Sequence, residues 1–103
     1  MTRIEHLPGL DAAPHANVFP EHEPKTVKLA LDAGERVPEH DHPEREIVLY
    51  LIDGALRLAL DGEPHALEAG DVVRFDGDQD ISPVAEVPST ALLVLARRSP
   101  EEY

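Results

Sequence analysis

The stretch His40-Asp41-His42-Pro43-Glu44-Arg45-Glu46-Ile47-Val48-Leu49-Tyr50-Leu51-Ile52-Asp53-Gly54 joins a charged segment holding two histidines to an apolar run, closed by an Asp-Gly pair. Residues 47–52 are rich in β-branched and large apolar side chains and predict a strand. Asp53-Gly54 is a turn signal, and Leu56, Leu58 and Leu60 then alternate with Arg57 and Ala59, so a hairpin follows directly. Upstream, Val27, Leu29 and Leu31 fall on one face and Thr26, Lys28 and Ala30 on the other, which predicts a half-buried strand ended by Asp32-Ala33-Gly34.

The same punctuation continues in both directions. Asp61-Gly62 makes a second tight turn, His65 and Leu67 share a face of a short strand, and Ala69-Gly70-Asp71 turns the chain into residues 72–75. An acidic loop at residues 76–80, a weaker strand at 81–85, a Pro88-Ser89 turn and a strongly apolar strand at 91–97 complete the pattern. In the opening segment, broken by Pro8, Gly9 and Pro14, only residues 16–19 can form a short strand. Seven or eight short strands without an amphipathic helix point to an antiparallel sandwich or barrel. The expected organisation is an N-terminal arm over residues 1–24, able to pair with a neighbouring barrel's edge, a barrel over 25–98 and a tail over 99–103.

Composition bounds the functions open to such a chain. Its 103 residues fit one domain with one core. With 21 Asp and Glu against 9 Lys and Arg, the formal charge is −12, which repels polyanions and argues against nucleic acid and anionic membranes as partners. Seven arginines to two lysines, and carboxylates in nearly every loop, resemble the solvated surface of proteins from salt-loving organisms. The absence of cysteine excludes disulfides, thiolate nucleophiles and Cys-type zinc sites. No apolar leader opens the sequence and no run is long enough to span a bilayer, so a soluble cytoplasmic protein is expected. There is no Gly-rich phosphate loop and no nucleophile elbow.

The histidine pair carries the chemistry. Residues two apart in a strand point to the same side, so His40 and His42 can aim both imidazoles at one point inside a barrel. Neutral imidazoles suit zinc, iron, manganese or nickel, and a nearby carboxylate would complete a facial triad with positions open to substrate.

Gly34, five residues, His40-Asp41-His42, three residues, Glu46 and an apolar strand into Gly54 closely resemble the first motif of the cupin family. Leu67-Glu68-Ala69-Gly70-Asp71-Val72-Val73-Arg74-Phe75 resembles the start of its second motif, in which a Gly-Asp turn feeds a strand. The resemblance covers about half the chain. It implies an all-β, antiparallel jelly-roll (double-stranded β-helix) barrel, a site inside it, a divalent transition metal as cofactor, a small-molecule ligand and frequently a homodimer.

Two departures bear on the site. In the family's motif six residues separate the glutamate from the glycine, whereas seven separate Glu46 from Gly54. Counted from the histidines, Glu46 shares their face and is the third ligand. Counted back from Gly54, Ile47, Leu49 and Leu51 face inward and Glu46 faces solvent. A bulge near Pro43 decides between the two registers. The second motif usually ends in a ligating histidine, and Ile81 stands in that place. Gln79 or Asp80 could substitute only if their loop bends inward.

The candidate metal set is therefore His40, His42 and Glu46, with His65 in reserve. His6, His15 and His22 in the arm read as surface residues, and Tyr50 and Phe75 as core or pocket wall. Two functions follow. In one, the barrel binds a small molecule together with a divalent metal held by His40 and His42 in an incomplete site. In the other, it is a metal-free binding or sensing module whose pocket is lined by Ile47, Leu49, Leu58, Phe75 and Ile81.

Overall fold

A computed structural model describes residues 2–12 and 14–98; the expected tail at 99–103 lies outside the described residues. Eight strands follow a single helical turn at Leu7–Gly9: β1 (His15–Asn17), β2 (Lys25–Leu31), β3 (Arg45–Asp53), β4 (Ala55–Leu60), β5 (Glu63–Glu68), β6 (Val72–Asp76), β7 (Ile81–Ala85) and β8 (Ser89–Arg97). They form a five-stranded sheet in the order β1-β2-β8-β3-β6 and a three-stranded sheet in the order β5-β4-β7. Every pairing is antiparallel, and the two sheets enclose one core in the jelly-roll manner that the sequence led us to expect.

The core follows from the alternation. Ile47, Leu49 and Leu51 on β3 and Leu56 and Leu58 on β4 have at most 1% of their surface exposed, and Leu29, Phe75, Ile81 and Leu95 close around them. Each such side chain contributes on the order of 1.5–3 kcal/mol by leaving water. The hairpin between β3 and β4 turns at Gly54, whose φ of 96° suits glycine. Glycine is also the only residue that fits there, because a Cβ would lie 2.2 Å from Ser89 Oγ. That hydroxyl in turn accepts from the Ala55 amide.

Strand β2 departs from the half-buried expectation. Its outward residues Thr26 and Lys28 are also buried, Lys28 to 8% exposure, because the arm lies across them. Lys28 Nζ donates to the carbonyls of Leu7 and Leu10 at 2.8 Å each, which meets the ammonium's need for acceptors out of water. The arm's strand β1 pairs with β2 of its own barrel, through His15 to Leu29 and Asn17 to Val27.

After β2, residues 34–40 run antiparallel to β7 and extend the smaller sheet. The Val37 amide donates to Pro83 O, Ser82 Oγ donates to Val37 O, and His40 and Ile81 exchange both backbone hydrogen bonds. The chain then leaves extended conformation: Arg45 N donates back to His42 O, and Glu44 has φ of 65°. This break resolves the register left open by the sequence, since counting from the histidines does not carry across it. Ile47 pairs with Phe75 and Leu95 on the inner face, whereas Glu46 pairs with Asp76 and Ala96 on the outer one. Among the described residues no helix is long and apolar enough to cross a membrane.

Candidate functional site

A cavity of about 410 Å³ opens between the sheets, and its wall is graded in polarity. Ile47, Leu49, Leu58, Phe75 and Ile81, the five residues expected from the sequence, all line it and are all buried. Val27 and Leu29 from β2 and Leu93 and Leu95 from β8 add to this apolar wall. The polar lining residues are His15, Asn17, Lys25, Glu39, His40 and His42, and every one is half-buried or exposed. Polar groups thus gather at the mouth and apolar ones at the floor. This division is usual for sites that orient a small molecule by a few polar contacts.

His40 and His42 both reach this mouth, with ring centroids 4.9 Å apart and planes at 88°. The antiparallel bridge to Ile81 fixes the backbone of His40, and the His42 amide donates to Gly77 O at 2.9 Å. Gly77 is buried beneath them, and its own amide donates to Arg45 O. A Cβ at Gly77 would stand 2.3 Å from His42 O, so only glycine permits this crossing of the two backbones.

His40 Nδ1 lies 2.9 Å from the Pro38 carbonyl oxygen. A carbonyl only accepts, so in the neutral ring Nδ1 carries the hydrogen and Nε2 offers its lone pair. The His42 imidazole is held below its ordinary pKa, chiefly by burial and then by the positive charges of His40, Lys25 and Arg45, with Asp41 opposing.

The remaining candidates lie elsewhere. Glu46 is not beside the histidines: it is ion-paired with Arg74 and lies 4.0 Å from Arg98 on the outer face of the large sheet. The expected triad of His40, His42 and Glu46 therefore does not assemble, because the turn at residues 42–45 puts Glu46 on the face opposite Ile47. His65, the reserve ligand, is exposed on β5 beside Glu63, at 3.7 Å, and takes no part in lining the cavity. The acidic loop does not bend inward. Asp78 instead accepts from the Glu44 amide and from Arg98, two donors that lower its pKa, and Gln79 caps the Asp76 carbonyl.

The sequence pattern does not single out Asn17, Lys25 or Glu39, which line the mouth, and it leaves His15 on the surface. Lys25 shares the period-two face of Val27 and Leu29, so the alternation held that signal. His15 is brought in by the pairing of β1 with β2, which no local spacing reveals.

With metal–nitrogen bonds of about 2 Å, two imidazoles on one ion have centroids about 5 Å apart, and the observed spacing agrees. The Pro38 contact supplies the outer partner that orients a ligating histidine. Among the described residues, however, no three His, Cys, Asp or Glu side chains converge. Ile81 faces His40 across the bridge, where a third imidazole would stand. The donor set fits half of a metal centre and not a complete one.

A barrel of two antiparallel sheets with a His-x-His segment at its mouth defines a class, the jelly-roll barrels. Residues 27–93 match the model of the cupin domain, and the chain belongs to the cupin family. Among solved structures it is similar to KdgF from Halomonas sp., with 25% identity, 88% of this chain and 86% of that one covered, and a TM-score of 0.71. It is also similar to the Cupin_2 domain of an XRE family transcriptional regulator from Enterobacter cloacae, at 21% identity, 82% and 96% coverage and a TM-score of 0.74. A third is a predicted oxalate decarboxylase from Thermotoga maritima, at 20% identity, 81% and 78% coverage and a TM-score of 0.71. No protein of curated function matches. The last two likenesses concern the fold alone, and a fold shared by a regulator and a predicted decarboxylase leaves function to be argued from the site.

Proposed function

We propose that this cupin is a small-molecule binding barrel, its ligand held in the cavity between the sheets with the polar end at His40 and His42. The observation that carries this is the graded wall: buried lining residues are all apolar, and polar ones stand only at the mouth. A binding or sensing role needs no more than this. The donor set supports that role before catalysis, because Glu46 is engaged with Arg74 and Ile81 occupies the third position.

A second reading, in which His40 and His42 hold a divalent transition ion with water completing its shell, is favoured by the ring spacing and the Pro38 contact. Elemental analysis of untagged protein beside a His40→Ala, His42→Ala double variant separates the two. Stoichiometric zinc, iron, manganese or nickel that disappears in the variant establishes the metal; equal content in both removes it.

We further expect a cytoplasmic homodimer. Val48, Tyr50 and Val72 expose apolar surface on the outer face of the large sheet, which supports association of two copies there. Light scattering that gives a monomer mass at micromolar concentration would refute the dimer.

A further inference from the structure

Cations are scarce in this chain, and among the described residues only Lys25 and Arg36 lack an ion pair or side-chain hydrogen bond; Arg36 is exposed and lies outside the cavity lining. Arg3, Arg45, Arg57, Arg74, Arg97 and Arg98 pair with carboxylates, and Lys28 is bound by two carbonyls. Lys25 has neither an ion pair nor a side-chain hydrogen bond among the described residues, although the chain carries 21 acidic residues. It is half-buried at the start of β2, and its backbone lies in the cross-strand row Lys25, Leu95, Ile47, Phe75, three of which form the apolar wall. Its neighbours at the mouth are His15 and Asn17 from β1, both able to donate N–H groups. Glu39, the one carboxylate in the lining, is exposed and makes no ion pair with it.

A lysine that lays its stem along apolar surface keeps its charged head toward water, so Lys25 offers an ammonium without an ion-pair partner at the mouth to any anion that enters. One monovalent head suits one ammonium and two neutral donors, and the walls below offer only apolar surface. Resting on the reading of the barrel as a small-molecule site, we infer that Lys25 receives the carboxylate of an organic acid, with Asn17 and His15 beside it. The acid's apolar body lies along Ile47, Leu49 and Phe75. At about 30 Å³ for each water-sized unit, a cavity of about 410 Å³ takes a body of roughly a dozen non-hydrogen atoms. Lys25 is then the residue that selects acids over neutral molecules of the same shape.

The test is calorimetric titration of the full chain with octanoate, octanamide and inorganic phosphate, for the wild type, Lys25→Gln and Lys25→Arg. Octanoate is expected to bind about tenfold or more tightly than octanamide. Lys25→Gln should remove that preference by weakening octanoate far more than octanamide, and Lys25→Arg should keep most of it. Equal binding of acid and amide, or a preference that survives Lys25→Gln, overturns the role of Lys25 while the binding barrel stands. Lys25-dependent binding of phosphate without binding of octanoate overturns the organic acid. Failure of both octanoate and octanamide to bind overturns the cavity as a ligand site and this inference with it.

Discussion

Substituting Ile81 by histidine should convert the half site into a metal centre. Ile81 is 4% exposed, lines the cavity and exchanges both backbone hydrogen bonds with His40, at 3.1 and 2.7 Å. Antiparallel partners that exchange both bonds have Cα atoms about 5.5 Å apart and side chains on one face, so an imidazole at 81 joins those at 40 and 42. Without metal, the variant loses about 1.5–3 kcal/mol of isoleucine burial. A ring nitrogen left without a partner costs about 1–3 kcal/mol more. Metal at one hundred times its dissociation constant restores about 2.7 kcal/mol. For a domain of this size, 1 kcal/mol moves Tm by roughly 4–8 °C, so zinc or nickel should raise the variant's Tm by about 10–20 °C. Thermal unfolding with added metal or with EDTA reads this, and elemental analysis gives the stoichiometry. The gain should vanish in the His40→Ala, Ile81→His double variant. A variant that binds no more metal than the wild type, or a gain that survives loss of His40, would refute the placement of residue 81 beside the pair.

Three further outcomes follow from particular contacts. Gly77→Ala drives a Cβ into His42 O and should destabilise by about 1–3 kcal/mol in a denaturant titration. It should also shift the ring resonances of His40 and His42, and unchanged resonances would mean that Gly77 does not hold the loop. Leu49→Ala and Leu51→Ala should differ although both residues are fully buried. Truncation in a packed core costs about 2–5 kcal/mol; Leu49 already faces the cavity and belongs at the low end, Leu51 does not line it and belongs at the high end. Equal losses would argue against an open cavity.

Asp78, held below the ordinary aspartate pKa by the Glu44 amide and Arg98, contributes stability that is present above the unfolded-state value and lost as pH falls through the folded one. The stability gap between wild type and Asp78→Ala should therefore be full at neutral pH and narrow below about pH 4. A gap that stays constant through that range would rule out this linkage.

The parts of the site legible in the sequence were those set by period and by turns. Alternation along β3 and β4 identified Ile47, Leu49 and Leu58, and the Gly-Asp turn before β6 led to Phe75 and to Ile81 at the vacant ligand position. Alternation stops being informative where the chain leaves extended geometry. Glu46 and Ile47 exchange faces according to whether one counts across Glu44 or back from Gly54, and the positive φ at Glu44 is not written in residue type. His15 is exposed, as a surface reading expects, but its place at the mouth was not legible, since β1 is three residues long and pairs His15 with Leu29, fourteen residues on. The face of β2 carrying Thr26 and Lys28 was assigned to solvent because periodicity records polarity and not what later folds over it.

The crossing at Gly77 bears on how this protein can change over time. Peptide groups, through His42 N to Gly77 O and Gly77 N to Arg45 O, hold the histidine loop to the acidic one. Side chains at positions such as Asp76, Gln79 and Asp80 can therefore drift through mutation without displacing the imidazoles. The side chains of the acidic loop are free to vary one residue at a time, while the frame that presents His40 and His42 is kept so long as residue 77 remains glycine.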